Sequence, residues 1–169
     1  MPLWLIGMMG SGKSTVGRTL ASRTDKPFVD TDVLVEEAAG RSVVDVFQAE
    51  GEEAFRSLES DAIRAAAVMA DAVVATGGGA VLVQNNIRSM RSSGPVVWLR
   101  ASPATLAARI GNAPGRPLLV DVDLVGRLTV ILEDRSDAYQ RAADHTVDTD
   151  ESTVDEVAVV VEQLWNASS

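Results

Sequence analysis

The residues best suited to chemistry form one run near the amino terminus, Gly7-Met8-Met9-Gly10-Ser11-Gly12-Lys13-Ser14-Thr15. The run fits the phosphate-binding pattern G-x-x-x-x-G-K-[ST]. In that pattern glycine-rich backbone offers a row of N–H groups to an anion, and the lysine adds a full positive charge. Gly10, Ser11, Gly12, Lys13, Ser14 and Thr15 are therefore candidates to bind the triphosphate of ATP or GTP. Lys13 would reach the β- and γ-phosphates, the Ser14 hydroxyl would sit on Mg2+, and Thr15 would lie behind it in the first helical turn. A glycine turn with a chance lysine is the plain alternative, and it leaves the context unexplained. An apolar run, Leu3-Trp4-Leu5-Ile6, precedes the pattern and a helix-compatible run, Val16 to Arg23, follows it.

Three other groups stand out. Asp30-Thr31-Asp32 places two carboxylates two residues apart after the apolar run Pro27-Phe28-Val29. Asp30 or Thr31 could simply cap the next helix, but capping accounts for one of them well and both poorly. Gly77-Gly78-Gly79 follows the β-rich run Ala72 to Thr76, and three successive glycines bring bare backbone beside something that must come close. Gly111-Asn112-Ala113-Pro114-Gly115-Arg116-Pro117 is a loop with one arginine, and Arg109, Arg127, Arg135 and Arg141 give its surroundings a basic bias. Arginine suits phosphate contact. Arg56, among Glu52, Glu53 and Glu59, reads from spacing alone as a surface ion-pair member on a helix.

These groups need elements to hold them. The pattern predicts strands at 3–6, 27–29, 72–76, 95–99 and 145–148. Helices are predicted to follow the phosphate run and over 33–39, 43–49, 52–70, 84–91, 104–110, 125–141 and from Ser152 or Thr153 to Trp165. Alternating strands and helices give an α/β fold, a three-layer open sandwich around a mostly parallel five-stranded sheet. Ligands in such sheets gather beyond the carboxyl ends of the strands, where the glycine runs and the Asp30–Asp32 acids fall. Trp98 reads as core, and His145, the only histidine, is given no function.

With 169 residues, the chain suits one domain. A hydrophobic fraction of 46% and a charged fraction of 23% belong to a globular protein without low-complexity segments. The net charge of −9 argues against nucleic-acid or anionic-membrane partners, so anionic ligands must be held by individually placed groups. The absence of cysteine suits a cytoplasmic location. No run of 18 apolar residues predicts a membrane span. The chain has two lysines, Lys13 and Lys26, and no Asn-Lys-x-Asp guanine signature, which points away from a switch protein and towards a compact kinase with a lid.

The chain resembles the shikimate kinase family from end to end. The motifs are GMMGSGKST, DTD at Asp30 to Asp32, FR at Phe55-Arg56, TGGGAV at Thr76 to Val81, RPLL at Arg116 to Leu119, and Arg135 with Tyr139 four residues on. The resemblance implies a nucleoside monophosphate kinase-like fold over 1–169, a substrate-binding helical segment near 32–62 and a mobile lid near 111–123. It implies ATP- and Mg2+-dependent transfer of a phosphoryl group to the 3-hydroxyl of shikimate, by a cytoplasmic monomer. Asp32, Lys13 and Arg116 would be catalytic, with Asp32 on the shikimate hydroxyls and a candidate base. Arg56 and Arg135 would clamp the substrate carboxylate, and Gly78 and Gly79 would offer backbone N–H groups to the substrate. Asp30 would help to hold Mg2+ through water beside Ser14. Arg109 would lie against adenine, and Arg109 and Arg116 would join the ATP site. The resemblance thereby gives Arg56 a role that its spacing does not.

Two departures are visible. Many members carry a proline between the late arginine and tyrosine, where this chain has Ser136-Asp137-Ala138. Many also place an arginine near adenine after the last strand, where this chain has Asp150-Glu151-Ser152-Thr153, leaving backbone or Ser/Thr contacts for the base. A related kinase acting on gluconate or a nucleoside monophosphate, and a non-catalytic nucleotide-binding regulator, are the rival readings.

Overall fold

Strand β1 (Leu3–Ile6) is buried along its whole length and lies at the centre of a parallel sheet ordered β2-β3-β1-β4-β5. Its partners are β3 (Val73–Ala75) on one side and β4 (Val96–Arg100) on the other, so that Leu5 lies between Ala75 and Val97. β2 (Phe28–Asp30) and β5 (His145–Asp148) form the two edges. The structure, a computed structural model, describes residues 1–111 and 123–168.

Side chains alternate across a strand, and both faces of β1 are apolar, which is the pattern of a sheet covered on both sides. Leu3 and Leu5 pack with α1 (Lys13–Thr24) and α7 (Val154–Ala167), against Val16, Leu20, Val157, Val161 and Trp165. Trp4 and Ile6 face the other layer, formed by α3 (Val43–Ala67), α4 (Gln84–Ser93), α5 (Pro103–Gly111) and α6 (Leu124–Ala142). The predicted three-layer α/β sandwich is therefore present. Trp98 is core as expected and stacks on Tyr139, with ring centroids 5.3 Å apart.

Three local details sharpen the sequence reading. Asp30 ends β2 and caps α2 (Thr31–Ala39), its side chain accepting from the Asp32 N–H, so Asp32 stands in the first helical turn and not at the strand end. The two helices expected on either side of Gly51 are present as the two halves of α3, separated by a kink where Gly51 takes the non-helical φ 83° and ψ 179°. A 3-10 turn, Ala80–Leu82, follows the glycine triplet at once. Among the described residues no helix is long and apolar enough to cross a membrane.

Candidate active site

The phosphate run leaves the end of β1 and enters α1 through Gly12, which stands at the helix N-cap with φ 96°. Gly10 also has positive φ, 79°, a conformation that costs a side chain dearly. The helix terminus and the loop together present unpaired N–H groups to one spot. Lys13 is buried and its ammonium donates to the Gly7 and Met8 carbonyls at 2.8 and 2.9 Å, held back along the loop it serves. Burial lowers its pKa to about 8, against the opposing pull of Asp32 and Asp30. The Ser14 hydroxyl donates to Asp30 Oδ2 at 2.8 Å. Asp30 therefore does both things the sequence left open: one oxygen caps a helix and the other meets Ser14.

On the far side of the loop, α2, α3, α6 and the glycine triplet assemble a second set of charges. Arg56 donates to Glu59 Oε2 at 2.7 Å and to the exposed Glu52 at 3.3 Å. The helical ion pair expected from spacing exists, but its main partner Glu59 is completely buried and the guanidinium faces inwards. Asp32 and Glu59 are both raised above the ordinary carboxylate range, burial being the first cause in each. The nearby charges of Asp30 on Asp32 and of Asp32 on Glu59 push the same way, whereas Arg56 opposes both shifts. Asp32 Oδ1 and Glu59 Oε1 are buried acceptors with no donor among the described residues. A side chain on Gly77 would meet those same two oxygens at 2.7 and 2.8 Å, and one on Gly79 would collide with the Arg56 guanidinium. Gly77 and Gly79 are bare because charged groups occupy the space.

One crevice of about 1000 Å³ joins the two sets. Its walls include Gly10, Ser11, Gly12, Lys13, Ser14, Thr15, Asp30, Asp32, Arg56, Gly78, Gly79, Arg109 and Arg135, so residues far apart in sequence converge as expected. Arg116 and residues 112–122 of the lid expected near 111–123 lie outside the described residues. Arg109 reaches across to the last connection, donating to Thr149 Oγ1 at 3.0 Å and to the Thr149 carbonyl, with the Gly10 and Ser11 carbonyls 3.5 Å away. Ser152, Thr153 and Val154 line that end of the crevice. The Thr153 hydroxyl is engaged with Glu156 in a capping box at the start of α7.

Sequence reasoning passed over Glu59 as a functional group and counted it among acids around Arg56. The available signal was its position one turn after Arg56 and four residues before the core residue Ile63, which turns it inwards. Phe47, partly exposed, packs against Phe55 with centroids 4.4 Å apart and rings tilted by 31°, and both line the crevice beside these charges. Nothing in the helical pattern separates that pair from ordinary core.

A parallel sheet with a phosphate loop at the end of its central strand, facing a pocket of paired carboxylates and arginines, defines a phosphate-loop kinase of small molecules. The family model for shikimate kinase matches residues 9–165, and the chain belongs to that family. It is 47% identical over 167 residues to the shikimate kinase of Symbiobacterium thermophilum, covering 97% of this chain and 96% of the relative. It is 43% identical over 154 residues to that of Caldanaerobacter subterraneus subsp. tengcongensis, covering 91% and 90%. The solved shikimate kinase from Acinetobacter baumannii in complex with shikimate superposes with a TM-score of 0.89 at 31% identity, covering 98% of this chain and 93% of that one.

Proposed function

We propose that the crevice carries out ATP-dependent phosphorylation of the 3-hydroxyl of shikimate, with the phosphate loop holding ATP and the α2/α3/α6 side holding the acceptor. The observation that carries the acceptor assignment is the pair of orphaned acceptors, Asp32 Oδ1 and Glu59 Oε1, set beside Arg56 and Arg135. Buried acceptors without donors are satisfied by a ligand rich in hydroxyls, and the arginines by a carboxylate. Shikimate offers both. A gluconate-type acceptor is not favoured by the family to which the chain belongs.

In the reaction the 3-hydroxyl oxygen forms a bond to the γ-phosphorus as the bond from that phosphorus to the bridging oxygen of ADP breaks. The hydroxyl proton passes to Asp32, whose raised pKa makes it a better base than a surface aspartate. Lys13 follows the charge that shifts towards the β,γ-bridge, and Arg116 adds a second cation there. Ser14 Oγ and Asp30 Oδ2, already paired, are hard oxygen donors that fit Mg2+, Asp30 acting through water. When bound, the ion neutralises phosphate charge. Arg56 and Arg135 hold the substrate carboxylate, and Gly78 and Gly79 turn backbone N–H groups to the substrate. Arg109, pinned to Thr149, offers a flat guanidinium to the base. We read the enzyme as a cytoplasmic monomer, the location being consistent with the cysteine-free sequence.

Coupled ADP release with Mg-ATP and shikimate, beside quinate, gluconate and AMP, tests this on the wild type and on Arg135→Ala. Shikimate-dependent turnover that collapses in the variant is the expected result. Turnover with another acceptor overturns the substrate, and ATP binding without turnover on any acceptor would leave a regulator in place of an enzyme.

A further inference from the structure

Tyr139 is a motif residue that the reaction as described does not use. It is completely buried on α6, one turn after Arg135, with its ring stacked on Trp98 at an interplanar angle of 17°. Its hydroxyl donates to the Gly78 carbonyl at 2.6 Å, a bond that spans 61 positions in the chain. Burial pushes its pKa up to about 12, with Arg135 opposing, so the hydroxyl remains a donor throughout the physiological range.

The Gly78 carbonyl and the Gly79 N–H belong to one trans peptide plane and therefore point in opposite directions. A donor that fixes the carbonyl on the α6 side fixes the N–H on the other. Gly79 lies directly against the Arg56 guanidinium, and Gly78 has Arg135 3.8 Å from where its side chain would start. Two glycines in succession give this plane unusual freedom to rotate, and a buried tyrosine hydroxyl supplies a restraint that the glycines lack.

We propose that Tyr139 is a positioning residue of the acceptor site, its hydroxyl locking the Gly78–Gly79 peptide so that the Gly79 N–H faces the substrate. The same side chain couples that peptide to Arg135 through one turn of α6, so the carboxylate clamp and the backbone donor are set by a single helix. The inference rests on the reading of Gly78 and Gly79 as part of the shikimate pocket.

Tyr139→Phe keeps the ring and its stack and removes the hydroxyl, which donates to the Gly78 carbonyl and also accepts from Arg135, so the Gly79 amide is the readout that isolates the peptide lock. The expected result is a rise of about tenfold in the KM for shikimate, with kcat and the KM for ATP each within about twofold of wild type. The rise should be the same from pH 6 to pH 9, because the tyrosine does not titrate there. In the ligand-free full-length protein, the Gly79 amide resonance should shift and broaden in the variant while those of Gly10 and Gly12 stay in place, a readout independent of turnover. An unchanged shikimate KM with an unmoved Gly79 amide overturns the inference. So does a parallel rise in both KM values, which would mean general loosening. If the wild type itself does not turn over shikimate, the functional reading fails and not the Tyr139 assignment, which the amide measurement still decides.

Discussion

The two sides of the crevice recognise their ligands by different means. The phosphate loop at the heart of one side is contiguous: residues 7–15 form it, and its main donors are backbone amides and one helix terminus. The acceptor side is assembled from α2, α3, α6 and the glycine triplet, and its donors and acceptors are charged side chains that lean on one another. Backbone dipoles come with the fold and cannot be deleted one at a time. Side-chain charges can, and removing one leaves its partner buried and unpaired. The acceptor side should therefore be the more fragile of the two towards substitution away from the reacting atoms.

The largest effect is expected on the phosphoryl group itself. Arg116→Ala should lower kcat by about 10³-fold or more with a much smaller change in shikimate affinity, as measured by steady-state kinetics and calorimetric titration. An equal loss in both would remove the distinction between transition-state and acceptor contacts. Next, Arg135→Ala should lower kcat/KM for shikimate by about 10–100-fold, since a charge-assisted hydrogen bond shielded from water is worth about 1.5–3 kcal/mol. The KM for ATP should stay within about twofold, and a comparable rise in it would show that the two sides are not separable.

Glu59→Gln sharpens the contrast further, because Glu59 holds Arg56 with one oxygen and leaves the other for the substrate. Weakening this buried pair should raise the KM for shikimate about tenfold and lower stability by about 2 kcal/mol in denaturant titration. Asp148→Asn is the control. Arg100 holds Asp148 at 2.6 Å, closer than Arg56 holds Glu59, yet side chains of that pair are 49% and 61% exposed. Its loss should cost less than about 1 kcal/mol and leave turnover unchanged. A large effect there would mean that distance, and not burial, sets the worth of these pairs.

The phosphate side makes a prediction in pH. Only the protonated Lys13 attracts phosphate, and its pKa in the free enzyme is lowered to about 8. The kcat/KM for ATP should fall as pH rises through about 8, while kcat, measured with the phosphates already bound and holding the proton on, should fall at a higher pH. A flat kcat/KM profile up to pH 10 would place the lysine pKa near its ordinary value.

How much of this was legible depended on the range of the interactions. The strand–loop–helix around Lys13 was readable because each constraint lies within a few residues: a continuous apolar run before it, positive-φ glycines within it and a helix start after it. Alternating elements likewise gave the sandwich. The exact role of Asp30 was not readable, since its cap is local to α2 while its bond to Ser14 crosses 16 positions. Arg56 illustrates the limit best. Its spacing to Glu52 and Glu59 announces an ion pair, and only the packing of α3 says that one acid is exposed and the other has no contact with water.

The sequence by itself therefore determined the nucleotide site and the fold class, because a phosphate cradle and a buried parallel strand are both written in consecutive residues. The tertiary structure decided which charges are buried, what fills the space beside Gly77 and Gly79, and that Tyr139 meets Gly78. Desolvation and long-range contact arise only when distant segments pack together, and burial is what raises Asp32 and Glu59 above ordinary surface acids.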